Sequence, residues 1–163
     1  LGHLGVQILR ATTAARIIAV DTRPEALQLA EQSGATSTLL PDEHTAATIR
    51  EQTDGRGADV VLDFVGSDAT LAMGAAAARQ QGDLTIVGLG GGTLPVSFFG
   101  LPYEVSVQTT YWGSRPELVE VLDLAARELV RPRITTFPLS AAAAAYEQLT
   151  CGKISGRAVV VPG

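Results

Sequence analysis

Apolar positions along the 163 residues fall into short continuous runs separated by segments of helical periodicity. Leu1, Leu4, Gly5, Ile8 and Leu9 follow helical spacing and predict a helix to about Ala14. Arg16 to Val20 (RIIAV) reads as a buried strand that ends at Asp21. Pro24 opens a second helix with Leu27 and Ala30 facing inward, and Gly34 stands where a C-cap is expected. Thr36 to Leu40 predicts a short strand, Thr45 to Thr53 a polar-faced helix, and Asp59 to Val65 (DVVLDFV) the next buried strand. Ser67 is placed to cap a helix that reaches about Gln80 and is ended by Gly82. Leu84 to Val87 is a strand running into Gly88, Gly90-Gly91-Gly92 is a loop, and Val105 to Tyr111 is a further strand. Ser114 and Glu117 have the spacing of a capping box for a helix whose apolar face is Leu118, Leu122, Ala125 and Leu129. Ile134 to Leu139 is extended, Ser140 caps a helix ended by Gly152, and Ala158 to Val161 closes the domain as its last strand.

This alternation of strands and helices, with strands too uniformly apolar to face water on one side, predicts an α/β fold. A doubly wound, mostly parallel sheet covered by helices on both faces satisfies the pattern. The length suits one domain, residues 1–163. Hydrophobic residues make up 46% and charged residues 18%, which excludes a disordered chain. The net charge of −5 comes with scattered Lys and Arg, so no basic stripe points to a nucleic acid. One cysteine, Cys151, excludes an internal disulfide, and with only His3 and His44 beside it the chain does not supply the ligands of a catalytic zinc. The single cysteine fits a reducing, cytoplasmic setting, and neither a signal peptide nor an apolar run long enough to span a membrane is seen. The opening Leu1-Gly2-His3-Leu4-Gly5 reads as the middle of something, and the chain is expected to be part of a longer protein.

Chemistry enters with two features. Gly2 opens the first helix, where main-chain N–H groups can meet a pyrophosphate, and Asp21 ends the next strand 19 residues later, where a carboxylate can bind a ribose diol. On their own these residues fit equally well as a packing glycine and a strand-end cap, since one glycine is not a G-x-G-x-x-G fingerprint.

The longer pattern goes further. Leu1-Gly2-His3-Leu4-Gly5-Val6-Gln7, Ala19-Val20-Asp21, Ala30 with Gly34-Ala35, the stretch from Gly55 and Gly57-Ala58-Asp59 to Asp63 and Val65-Gly66, and Gly152-Lys153-Ile154-Ser155-Gly156-Arg157 occur in this order. Together they resemble the cofactor-binding part of the medium-chain dehydrogenase/reductase superfamily. Tyr111-Trp112-Gly113 makes the chain most similar to bacterial zinc-containing, NAD-dependent secondary alcohol dehydrogenases. The resemblance implies a Rossmann-type sheet lacking its first strand in this chain, in a fragment of a two-domain enzyme. It implies NAD as cofactor, with hydride passing between an alcohol and an aldehyde or ketone. By the same resemblance, Leu1 and Gly2 lie beside the pyrophosphate, Asp21 binds the ribose, and Arg23 borders the adenosine end. Val65 and Gly66 supply main chain on the adenosine side. Val87, Gly88 and Leu89, with Thr110 and Trp112, position the nicotinamide carboxamide, and Arg157 reaches the pyrophosphate.

The zinc ligands and proton relay belong to an upstream domain, so this chain has no catalytic residue and no metal site of its own. A homodimer or tetramer is expected, paired through the edge strand Val105 to Tyr111. The rivals are a zinc-free NADPH-dependent quinone or enoyl reductase, a non-catalytic NAD-binding module and a methyltransferase. Asp21 opposes the first, because its carboxylate repels a 2′-phosphate; Arg23, in the following turn, can swing into solvent. Asp63 reads as a strand-end structural acid, and Trp112 as either a packing anchor or a cofactor-lining residue. His3, His44 and Cys151 read as structural, and Arg157 reads also as a solvated charge at a strand start.

Overall fold

The computed structural model describes residues 1–162. They form two compact units, one made of Leu1–Leu40 with the segment from Arg115 onward, the other of Pro41–Ser114. Every strand pair in both units is parallel, as the apolar runs predict.

In the first unit, α1 (Gly2–Thr12) leads to β1 (Ile18–Val20), α2 (Pro24–Gln32) and β2 (Ser37–Leu39). Pro24 occupies the first turn of α2, where its missing N–H costs nothing, and Leu27 and Ala30 are buried as their spacing predicts. In α1 the buried residues are His3 and Val6, while Leu1 is exposed. β1 and β2 pair from Ile18↔Ser37 to Val20↔Leu39. After α5 (Arg115–Ala126) come β6 (Ile134–Pro138), a 3-10 turn over Leu139–Ala141, α6 (Ala142–Thr150) and β7 (Arg157–Val161).

The last strand forms as predicted, β7 pairing in parallel with β6 from Ile134↔Arg157 to Pro138↔Val161. Two expectations change here. Ser140 does not cap α6, since the chain enters that helix through the 3-10 turn and Ala141 takes the N-cap position. The apolar positions of α5 are not buried. Leu118 and Leu122 are each 57% exposed, because nothing among the described residues covers that face.

In the second unit, α3 (Thr45–Glu51) precedes β3 (Ala58–Asp63), α4 (Asp68–Ala77), β4 (Ala78–Ile86) and β5 (Ser106–Thr109). The sheet order is β3-β4-β5, which leaves β5 at an edge with all four residues exposed. Ser67 caps α4 as expected: its hydroxyl accepts the N–H of Thr70, whose own hydroxyl accepts the N–H of Ser67.

The helix predicted to reach Gln80 stops at Ala77, and the strand predicted from Leu84 starts at Ala78. Pairing with β3 overrides the helical propensity of the Ala-rich run: Ala78 pairs with Ala58 and Asp83 with Val60, so residues 79–82 bulge out between them. An Arg79–Asp59 ion pair of 2.6 Å spans the bulge and, with its charge, holds the Asp59 carboxyl below its ordinary range. Leu71 of α4 and Leu84 of β4 are the largest fully buried side chains, each contributing about 1.5–3 kcal/mol by burial. Among the described residues no helix is long and apolar enough to cross a membrane.

Candidate functional site

In a parallel α/β sheet, ligands sit beyond the carboxyl ends of the strands, where side chains and free main-chain groups project. Seven of the expected site residues lie at such an edge in the second unit. Asp63 pairs with Ile86, and Ile86 with Thr109, so the three strands of this sheet end level with one another. Val65 and Gly66, Val87 to Leu89, and Thr110 with Trp112 are the segments that leave those ends. Thr110 continues the ladder by donating its N–H to Ile86 O at 3.1 Å.

Two of these segments are packed main chain to main chain. Val87 and Gly88 donate to Asp63 O, Gly90 donates to Val65 O at 2.9 Å, and Gly92 donates to Gly66 O at 2.8 Å. A Cβ on Gly88 would overlap the main chain of Val65, so glycine there is required by the fold itself. The loop's far end is pinned by Asp68, whose carboxylate accepts the N–H of Thr93 at 2.7 Å. Val65 and Leu89, by contrast, are 55% and 92% exposed, leaving their surfaces available to a ligand.

Trp112 is not a packing anchor. It is 83% exposed, touches the Tyr111 ring edge-on at 5.5 Å, and has φ of 56°. A bulky residue in the left-handed region is costly, and such strain concentrates at ligand-contacting positions.

In the first unit, Asp21 stands at the carboxyl end of β1, donating its own N–H to Leu39 O at 3.3 Å. Its Oδ1 accepts the main-chain N–H of Arg23 at 3.0 Å. The Arg23 side chain is not loose in solvent as expected from its place in a turn. Its Nε lies 3.6 Å from Asp21 Oδ1, and its Nη1 donates to Gly152 O at 3.3 Å. The guanidinium therefore links the turn after β1 to the turn after α6, which continues to Arg157.

Gly2 begins α1, whose N-cap, Leu1, supplies no side-chain cap bond. Among the described residues a Cβ on Gly2 would meet nothing within 4 Å. Positive charge gathers at this helix end, where the helix dipole already favours an anion. Arg157 and Arg133 both act on His3, a residue of the first turn of α1. His3 is buried and its Nε2 accepts the N–H of Arg133 at 3.3 Å, which confirms a structural role. Burial first, with the charges of Arg157 and Arg133 beside it, holds its pKa below the ordinary imidazole value.

Each unit by itself offers groups that a nucleotide can use: in the first, a helix N-terminus with cations and a partly free Asp21 carboxylate; in the second, exposed main chain at level strand ends. A catalytic zinc does not fit, since among the described residues no three of His, Cys, Asp and Glu gather as a metal-binding group. Reading the sequence alone missed the anchoring parts of Asp68 and Gly152, while Asp63 is the strand-end structural acid it was read to be. The Asp63-to-Val65 bond is an Asx-type turn, a local signal that was available in the sequence.

Comparison with known proteins agrees with the parallel α/β fold. The sequence model of the family described as "Zinc-binding dehydrogenase" matches residues 1–127. An "NAD-dependent alcohol dehydrogenase" of Sulfurisphaera tokodaii is 33% identical over 99% of this chain and 48% of its own length. One of the same name from Sulfolobus acidocaldarius is 35% identical over 98% of this chain and 47% of its own. The alcohol dehydrogenase structure from Aeropyrum pernix superposes with a TM-score of 0.90 at 36% identity, covering 99% of this chain and 47% of that one. The chain thus spans about half the length of the curated relatives it matches.

Proposed function

Because the chain belongs to the zinc-binding dehydrogenase family, whose model matches residues 1–127, we propose that it is the cofactor-binding part of an NAD-dependent alcohol dehydrogenase. The relatives support a Rossmann-type domain that makes up about half of such an enzyme. Asp21 carries the cofactor reading: its carboxylate ends a parallel strand and has one oxygen, Oδ1, engaged by Arg23. The other oxygen can accept from the adenosine ribose hydroxyls. Main chain at Leu1 and Gly2 and the Arg157 guanidinium bind the pyrophosphate, while Arg23, Val65 and Gly66 border the adenosine side. Val87, Gly88, Leu89, Thr110 and Trp112 orient the nicotinamide.

Bound NAD would supply a hydride acceptor for oxidation of an alcohol, and this chain contributes its binding and orientation. Polarisation of the substrate oxygen, which eases loss of the hydroxyl proton, would come from a zinc ion held by residues outside this chain. The test is a steady-state assay of the intact protein with NAD and a panel of primary and secondary alcohols. Reduction of NAD supports the reading. Binding of NAD without turnover of any alcohol would instead mean an NAD-binding module, and turnover confined to NADPH with quinones or enones would mean the zinc-free reductase.

A further inference from the structure

We propose that Asp63 is a positioning residue that holds two cofactor-bordering turns as one body, a role that rests on the cofactor reading above. Asp63 ends β3 and is 6% exposed. Its Oδ1 accepts the N–H groups of Val65 at 2.8 Å and Gly66 at 2.9 Å. Its main-chain oxygen accepts those of Val87 at 2.8 Å and Gly88 at 2.9 Å. Four donors from two segments therefore converge on one residue. One segment is assigned to the adenosine side and the other to the nicotinamide side.

The second carboxylate oxygen decides how Asp63 acts. Oδ2 is enclosed and has no hydrogen-bond partner among the described residues. A ligand hydroxyl has no open approach to it, so Asp63 works through the turns and does not touch NAD. Enclosing a carboxylate with one oxygen unsatisfied is unfavourable. The compensation is the pair of charge-assisted bonds at Oδ1, which are stronger than neutral ones. They fix the Val65-Gly66 turn against the glycine loop that packs on it.

The test measures NAD affinity, KM and kcat of the intact protein for wild type, Asp63→Ala and Asp63→Asn. Hydrogen exchange at the Val65 and Gly66 amides is followed alongside. Asp63→Ala should raise the Kd and KM for NAD about tenfold, the scale of one charge-assisted hydrogen bond, with kcat little changed and exchange faster. Asparagine keeps an oxygen acceptor at the turn, so Asp63→Asn should recover most of the affinity, leaving a roughly two- to fivefold loss. If Asp63→Ala does not fold, that smaller loss in Asp63→Asn carries the test. Unchanged NAD affinity in every folded variant, or a fall in kcat at constant KM, overturns the role of Asp63 and leaves the cofactor reading standing. Failure of both variants to fold also overturns it, because Asp63 would then be needed for the fold as a whole. A wild-type protein that binds no NAD overturns the cofactor reading and this role together.

Discussion

Replacing Asp21 by serine should erode the preference for NAD over NADP, and replacing Arg23 by alanine should sharpen it. A 2′-phosphate carries a charge of about −1.5 at neutral pH. At about 5 Å from a carboxylate the repulsion runs from about 1 kcal/mol at a dielectric of 80 to about 5 kcal/mol at 20. The Asp21 side chain is 38% exposed and the Arg23 guanidinium sits 3.6 Å from its Oδ1, so solvent and the paired cation both reduce the effect. The net discrimination is about 2–3 kcal/mol, on the order of a hundredfold. Asp21→Ser removes the repulsion and should bring the ratio of kcat/KM for the two cofactors to within about tenfold. Arg23→Ala removes the cation that offsets Asp21 and would otherwise pair with the phosphate, so the ratio should rise. The assay is steady-state kinetics of the intact enzyme with each cofactor at saturating alcohol. An Asp21→Ser protein with an unchanged ratio, or an Arg23→Ala protein that gains activity with NADP, would refute the reasoning.

Other outcomes follow from the same structure. β5 has a strand neighbour on one side only and four exposed residues, so a second copy should pair there; sedimentation of the intact protein should give a dimer or tetramer, and a stable monomer would count against it. Among the described residues β1 pairs only with β2 and β3 only with β4, so a polypeptide limited to residues 1–163 leaves one side of each strand unpaired and should melt without cooperativity or self-associate; a cooperative, monomeric melt would contradict this. The depressed pKa of buried His3 means that its contribution to stability is present above an ordinary imidazole value of about 6.5 and is lost as pH falls through the lower folded value. Denaturation midpoints should therefore drop on acidification from that pH, and His3→Gln should drop less; an equal fall in both proteins would remove His3 from the account.

Much of the fold was legible because its signals are local. Pro24 opens α2, Ser67 caps α4, and the run from Asp59 lies in a parallel strand as far as Asp63 because each feature acts on its immediate neighbours. What escaped depends on distant partners. The bulge at residues 79–82 is imposed by the register with β3, against the local preference for helix. The face of α5 is visible as a periodicity, but exposure is decided by what packs on it. Arg23 could not be placed from sequence because its partner, Gly152, lies 129 residues away. Asp63 was visible as an acid at a strand end, yet two of its four donors come from the end of another strand, which only the folded sheet brings near.

The central claim is that this chain holds NAD through Gly2 and Asp21, and calorimetric titration of the intact protein addresses it most directly. A methyl group added in Gly2→Ala should obstruct the pyrophosphate at the α1 N-terminus, and the melting temperature of each variant checks that the fold is kept. Wild type should bind one NAD per chain, with the Kd raised about tenfold or more in both Gly2→Ala and Asp21→Ser. No binding of NAD by the wild-type protein, or binding indifferent to both substitutions, would contradict the account.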